Sequence, residues 1–178
     1  FTRSHDGTIA RWNVLRDLGV SGASVVYGAP GLLASASPAD PTAQQDSPWL
    51  EYEFTTVSSG AATLTLHLLP TFAVDSDHLL RYAVSIDGHP PIELDASAPA
   101  ASRASRGAGD EPSNSGLAQN VLRNSAVATV PLDSLSPGKH TIRLIYRDPG
   151  VVFEHLVVTF PGAPPAYPVP PETTASVR

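Results

Sequence analysis

The stretch His140–Phe160, HTIRLIYRDPGVVFEHLVVTF, limits the fold of this chain more than any other segment. Ile142, Leu144 and Tyr146 fall on one side of an extended chain, and a second apolar run follows the Asp148-Pro-Gly connection. A period of two is typical of a β-strand with one buried face. The proline lacks an amide donor and the glycine accepts positive φ, so the connection interrupts the ladder. The stretch therefore predicts a strand pair with a polar loop at its tip, as in a β-sandwich with a site at its rim.

Short alternating runs recur along the rest of the chain, between 18 prolines and 13 glycines. They cover residues 23–27, 49–55, 62–69, 80–87, 91–94 and 126–132. Asp87-Gly88 is a strong signal for a β-hairpin turn, and only residues 117–123 suggest a helical turn. The pattern predicts an all-β fold, a jelly-roll-type β-sandwich of two antiparallel sheets with at most one short helix.

The 178 residues fit one domain, and two segments differ from it in composition. Residues 95–116 are almost purely Ala, Ser, Pro, Gly, Arg and Asp, and such a segment cannot offset its ordering entropy by burial. Residues 166–178 are rich in proline, which favours an extended conformation. We therefore predict a single β-sandwich module over 1–165 with a mobile insertion at 95–116, and an extended tail over 166–178.

Composition excludes several classes of function. The chain has no cysteine, which excludes disulfides, thiolate metal sites and thiol nucleophiles. Its net charge of −6 argues against nucleic acid or an anionic membrane surface as a partner. No apolar run approaches the roughly 20 residues that span a bilayer. Because the chain begins with Phe1 and polar residues, without a signal peptide, we expect it to be a piece of a longer protein.

Catalytic and metal-binding patterns are weak. No nucleophile elbow occurs, and the six histidines have no zinc-ligand spacing, so they are predicted to lie on the surface or on strand faces. Glu51 and Glu53 could supply the carboxylates of a glycosidase, but their alternation predicts a solvated strand face. We predict neither a catalytic residue nor a metal ligand in this chain.

Aromatic residues at predicted strand ends leave two alternatives open. Their flat rings could seal the edge of the core or stack on the face of a sugar. These residues are Trp12, Trp49, Tyr146, Phe153 and Tyr167.

Several segments, in the same order along the chain, carry a resemblance to a known family. They are Pro48–Phe54, Leu69–Phe72, Leu80–Asp87, Asn120–Asn124, Gly138–Thr141 and Asp148–Val152, followed by Tyr167 and Pro170–Glu172. Together they resemble the C-terminal β-sandwich domain of glycoside hydrolase family 115 xylan α-glucuronidases. The chain departs from this pattern at Pro168-Val169, at the insertion over 95–116, and at Leu117 or Ala118, where the family often has an aromatic residue.

The resemblance implies a parent enzyme that removes 4-O-methyl-glucuronic acid from glucuronoxylan. Its catalysis would take place in an (α/β)8 barrel N-terminal to this domain, in a secreted or periplasmic protein. The segment Leu18–Val25 and the final strand pair also resemble carbohydrate-binding modules of families 6 and 35. Those modules bind sugars on loops at one end and often carry a structural calcium near the first strand. We predict no cofactor, and the resemblance leaves a structural calcium open.

Two main functional hypotheses follow. The first is a non-catalytic module that packs on the catalytic domains of its parent chain and binds xylan or glucuronoxylan. Its sugar contacts would be Trp12, Asn124, Arg147, Asp148 and Tyr167, with rings for stacking and polar groups for hydroxyls or a uronate carboxylate. The second is a purely structural domain that forms an interdomain or homodimer contact. An independent hydrolase is a third and weaker alternative.

Overall fold

The computed structural model describes residues 1–7, 10–28, 47–73, 79–97 and 115–164. This part of the chain contains ten strands and one helix. They are β1 (Arg3–His5), β2 (Trp12–Arg16), β3 (Ala23–Tyr27), β4 (Trp49–Thr56), β5 (Gly60–Leu68), β6 (Arg81–Ile86), β7 (Ile92–Asp95), α1 (Ser115–Leu122), β8 (Ala126–Leu135), β9 (Gly138–Tyr146) and β10 (Val152–Thr159). Most of the predicted insertion and all of the predicted tail lie outside the described residues, so the predicted domain limits stay predictions.

The strands form two five-stranded antiparallel sheets. Sheet 1 has the order β1-β4-β9-β6-β7, and sheet 2 has the order β2-β3-β10-β5-β8. Among the described strands, β2 pairs with β3 and β6 pairs with β7, whereas the other successive strands lie in opposite sheets. Connections that alternate between two sheets are typical of jelly rolls. The predicted all-β sandwich is confirmed.

The strand pair predicted from residues 140–160 is not a hairpin. β9 lies in the middle of sheet 1 between β4 and β6, and β10 lies in the middle of sheet 2 between β3 and β5. The connection between them crosses from one sheet to the other, and Gly150, at φ 89°, turns the chain there. The alternation of side chains reports which face of a strand is buried, but not which strand is its neighbour. The hairpin predicted at Asp87-Gly88 is confirmed, because both residues have positive φ and β6 pairs with β7.

The core lies between the two sheets and consists of the inward rows that the alternation predicts. Burying one such leucine or valine side chain contributes about 1.5–3 kcal/mol. The fully buried large side chains of the two sheets include Leu50, Leu64, Leu66, Leu68, Tyr82, Val84, Val130 and Leu144.

The outer face of β4 differs from its prediction. Glu51 is only 3% exposed, although its position was expected to be a solvated strand face. Arg3 and Arg143, on the neighbouring strands β1 and β9, pair with its carboxylate from two sides. The Arg143 guanidinium also lies 4.2 Å from the centroid of the Trp49 ring. Burial alone would raise the pKa of Glu51, but the hydrogen bond and charge of Arg143, together with Arg3, hold it below its ordinary value.

The two ends of the sandwich differ in their connections. We call one the loop end, where the registers place the connections at residues 6–11, 28–48, 69–80, 96–125 and 147–151. The other is the turn end, with the connections at residues 17–22, 57–59, 87–91 and 136–137. Every long connection therefore emerges at the loop end, as expected for a binding site built on a rigid scaffold.

Candidate functional site

Four of the five residues predicted to contact sugar lie at the loop end, with Trp12 and Asn124 beside opposite edge strands of sheet 2. Trp12 begins β2, Asn124 precedes β8, and Arg147 and Asp148 follow β9. The fifth residue, Tyr167, lies outside the described residues. Antiparallel pairing in both sheets places these strand termini at one end, although they are far apart in sequence.

Asp148 forms the firmest link at this end. Its side chain is 2% exposed, and its Oδ2 accepts hydrogen bonds from the backbone N and the Nε of Arg81 at 3.0 and 2.6 Å. Its Oδ1 accepts a further bond from Arg81 Nη2 at 2.8 Å. The hydrogen bond with Asp148 raises the pKa of Arg81. This bidentate ion pair ties the β9–β10 connection to the start of β6. A direct contact of Asp148 with sugar stays a prediction.

Arg147 lies on the outer side of sheet 1, where it joins separate segments. Its Nε donates to Glu93 Oε1 on β7, and its Nη1 donates to Ser47 Oγ just before β4, both at 3.1 Å. The Glu93 side chain is largely exposed, so the pair reaches the surface. Arg147 is therefore held in position beside the loop end.

Trp12 belongs to an aromatic cluster beneath the loop end. Its ring is 8% exposed and its Nε1 donates to the His5 carbonyl at 3.1 Å. It packs edge-on against Tyr27 at 5.2 Å and lies 6.2 Å from Phe153. Tyr27 continues the cluster to Tyr146 at 4.5 Å. Trp12, Tyr146 and Phe153 therefore seal the edge of the core, which is one of the two roles predicted for these rings. The stacking of Trp12 on a sugar stays a prediction.

Asn124 closes helix α1 and is exposed. Its φ of 51° is in the left-handed region, which asparagine adopts more readily than most residues, and its N–H donates to the Val121 carbonyl. The helix is anchored by Asn120, a buried residue whose Nδ2 donates to the Ala96 carbonyl at 3.0 Å. The anchoring role of Asn120 was not predicted, although it begins the Asn-Val-Leu-Arg-Asn segment that carries the family resemblance.

Phe72 is a candidate that the sequence analysis did not select. At 70% exposure, it is the most exposed aromatic side chain in the described ranges. The preceding residue, Thr71, donates from Oγ1 to the Gly150 carbonyl at 2.7 Å, which ties this connection to the one after β9. An aromatic residue just past a strand-ending Leu-Pro pair was the available signal. Phe72 is thus an accessible ring beside an ordered connection.

Neither metal clusters nor membrane spans occur in the described ranges. No group of three or more His, Asp or Glu side chains there is placed to hold a metal ion, and a structural calcium stays untested. Within the same residues, no helix has the length and apolar character needed to cross a bilayer.

Comparison with known proteins gives one match at the family level. The model of the family described as the glycosyl hydrolase family 115 C-terminal domain matches residues 1–172. A search of the curated proteins found no match. Among solved structures, the chain is similar to the 4-O-methyl-α-glucuronidase BtGH115A, described as specific for decorated arabinogalactans, with 18% identity over 89% of this chain and a TM-score of 0.55. The chain spans 17% of the length of that protein.

Two carbohydrate-binding modules are also similar in structure. One is the C-terminal family 6 module of the marine laminarinase LamC from Zobellia galactanivorans, with 15% identity, coverage of 90% of this chain and 93% of that chain, and a TM-score of 0.48. The other is a family 35 module from Clostridium thermocellum, with 10% identity, coverage of 88% and 92%, and a TM-score of 0.46. At such identities the likeness concerns the fold alone.

Proposed function

This chain belongs to the glycosyl hydrolase family 115 C-terminal domain family, and from that premise we propose that it is a non-catalytic accessory module of a secreted or periplasmic xylan α-glucuronidase-like enzyme. It packs on the catalytic domains of its parent chain and binds glucuronoxylan at the loop end. The observation that carries the binding proposal is that the strand ends flanking all long connections lie at the loop end, together with the exposed Asn124 and Phe72 and the buried aromatic cluster.

Carbohydrate recognition combines a flat apolar surface with well-placed polar groups. At the loop end, the exposed Phe72 ring supplies the first, and Asn124 and the Arg147–Glu93 pair supply the second. The exposed Asn124 amide suits sugar hydroxyls, and the Arg147 guanidinium, whose side chain is 11% exposed, is the group suited to a uronate carboxylate. Trp12 and Asp148 lie beneath these groups, where the first fills the core and the second holds the connection after β9, and their direct contact with sugar stays a prediction. Tyr167 is the remaining candidate for a stacking ring.

Affinity electrophoresis tests this proposal. The whole chain is run in native gels with and without glucuronoxylan, and a parallel gel contains decorated arabinogalactan, the substrate named for BtGH115A. We expect glucuronoxylan to retard the wild-type chain, and Phe72→Ala and Asn124→Ala to lower this retardation. Val57→Ala is the matched control, because Val57 is an exposed apolar residue at the turn end. Migration that neither polysaccharide changes would contradict binding.

The alternative is a structural domain that makes an interdomain or dimer contact without binding sugar. It is favoured by a group of exposed apolar residues at the loop end, which a protein partner could cover. The group comprises Phe72, Leu79, Val121 and Leu122. This alternative predicts that Leu122→Ser weakens co-purification with the catalytic domains, or dissociates a dimer in sedimentation, while no variant changes migration in polysaccharide gels.

A further inference from the structure

The Gly138-Lys-His-Thr segment, which carries part of the family resemblance, has no place in the proposed sugar site. It lies at the turn end, where β9 begins. His140 falls on the inward row of this strand with Ile142 and is 6% exposed, so it lies on a strand face, as predicted for the histidines, but on the buried one. A buried histidine requires partners for both of its ring nitrogens.

Both partners of His140 are hydrogen-bond acceptors. Its Nε2 lies 2.7 Å from the Ser136 carbonyl oxygen, and its Nδ1 lies 2.7 Å from Asp87 Oδ2. A carbonyl can only accept, so Nε2 must carry a proton. Asp87 also accepts the Thr141 N–H on its other oxygen, at 2.8 Å, as an ionised carboxylate does. Since its contacts lower the pKa of Asp87, we take this carboxylate as ionised; Nδ1 is then the donor, and the ring is an imidazolium.

Two further contacts support this cation. The Phe54 ring on β4 lies 5.4 Å from the imidazole, within the range of aromatic packing. The Thr56 hydroxyl donates to the same Ser136 carbonyl at 2.8 Å. Asp87 belongs to the β6–β7 turn and Ser136 to the β8–β9 turn, so His140 connects both turns and β4.

The charged or titratable groups around the ring are one carboxylate and two exposed basic side chains. Asp87 is its carboxylate partner, and the remaining charged or titratable neighbours are Lys139, beside it on β9, and His89 in the β6–β7 turn, both exposed. The hydrogen bond that His140 donates to Asp87, and then the one it donates to Ser136, raise the pKa of His140 against the effect of burial. Burial raises the pKa of Asp87, but the bonds from His140 and Thr141 bring it below its ordinary value.

We propose that this cluster is a pH-sensitive lock, in which the second proton on His140 fastens the β6–β7 and β8–β9 turns together at the turn end. When the imidazolium loses that proton to solvent, one ring nitrogen presents a lone pair to the Asp87 carboxylate or to the Ser136 carbonyl. Two acceptors then face each other at the buried ring, and the turns, whose Asp87 and Ser136 are already exposed, separate to admit water to it.

The sign of the effect follows from linkage. A folded-state pKa above the unfolded value of 6.5 means that the lock contributes fully below pH 6.5 and is lost as the pH rises through the raised pKa. The acid limit belongs to Asp87, whose contribution is lost as the pH falls below its unfolded value of 3.8. The lock therefore opens toward alkaline pH as well as in strong acid.

Side-chain nitrogen NMR of the full chain at neutral pH tests the assignment directly. We expect both His140 nitrogens to have the shifts of protonated nitrogens and to change together at alkaline pH. A single protonated nitrogen at neutral pH would overturn the proposal. In the same spectra His67 can be told apart from His140, because burial and the neighbouring His155 lower the pKa of His67, whereas the pKa of His140 is raised.

Urea unfolding from about pH 6 to about pH 9 then tests the lock, since each unit by which folding raises a pKa is about tenfold in the folded-to-unfolded ratio. We expect the wild-type ratio to fall several-fold over this range. Asp87→Asn keeps an acceptor for the Thr141 N–H but loses the charge. The folded-to-unfolded ratio of this variant should therefore fall less than that of the wild type over the same pH range. His89→Gln is the control and should follow the wild type. Equal slopes for the wild type and Asp87→Asn would overturn the proposal, and if that variant does not fold, the NMR result decides.

Discussion

The loop end and the turn end are fastened by the same kind of contact but with different cations. At the loop end, Asp148 is bound by Arg81, whose guanidinium keeps its charge at every pH at which a protein is folded. At the turn end, Asp87 is bound by His140, whose charge depends on pH. The difference indicates that the long connections stand on an ion pair whose cation does not titrate, whereas the tight turns are held by an ion pair whose cation does.

The largest expected effect is the loss of the loop-end ion pair. Asp148→Asn leaves the Arg81 guanidinium, which is mostly buried, without its carboxylate, and we expect the free energy of unfolding to fall by about 3 kcal/mol. Urea denaturation at neutral pH measures this. Asp133→Asn, at an exposed position of β8, is the control and should change little. A loss below about 1 kcal/mol would show that this pair does not hold the loop end.

Removing the turn-end cation should cost less and in a pH-dependent way. His140→Ala deletes both ring hydrogen bonds, so we expect a loss of about 2 kcal/mol in mildly acidic buffer. The difference from the wild type should shrink as the pH rises, because the wild-type cation is then lost as well. Denaturant unfolding at several pH values measures this, and a difference that stays constant with pH would remove the contrast between the ends.

A third carboxylate tests whether partial exposure weakens such contacts. Glu51→Gln keeps the shape of the side chain but loses its charge between Arg3 and Arg143, both of which reach solvent. We expect a loss of about 1 kcal/mol at neutral pH. Because the pKa of Glu51 is lowered, this contribution is present above pH 4.5 and is lost as the pH falls further. If the variant and the wild type keep the same stability difference down to strong acid, the charge has no part in it.

The smallest expected effect on stability belongs to the surface of the loop end. Phe72→Ala removes an exposed ring, so the free energy of unfolding should change by no more than about 0.5 kcal/mol. The melting temperature should therefore stay close to that of the wild type. The same variant should lose retardation by glucuronoxylan. A large drop in melting temperature would mean that the ring belongs to the structural base rather than to the binding surface.

The strands and their buried faces could be predicted from the sequence because alternation is local. β3 was predicted with its observed ends, and the Asp87-Gly88 turn, with positive φ at both residues, was found where its two residues favour it. Sheet membership could not be predicted, since β9 and β10 find their partners in strands distant along the chain.

The burial of two charged side chains was also hidden from the sequence. Glu51 is covered by arginines of two different strands, and His140 by residues of two different turns. Both contacts depend on the registers of strands that are not adjacent along the chain. At the candidate site, Asn124 could be selected as a polar residue of a family segment, but nothing local distinguished the buried ring of Trp12 from the exposed ring of Phe72.

The central positions of β9 and β10 determine when the module can fold during its synthesis. Each is the middle strand of its sheet, and both are the last strands of the described chain. Until the ribosome releases them, β1 and β4 of sheet 1 have no bridge to β6 and β7, and β2 and β3 of sheet 2 have none to β5 and β8. The module must therefore fold after most of it has been made, with many distant pairings and a folding time in the range of about milliseconds to seconds.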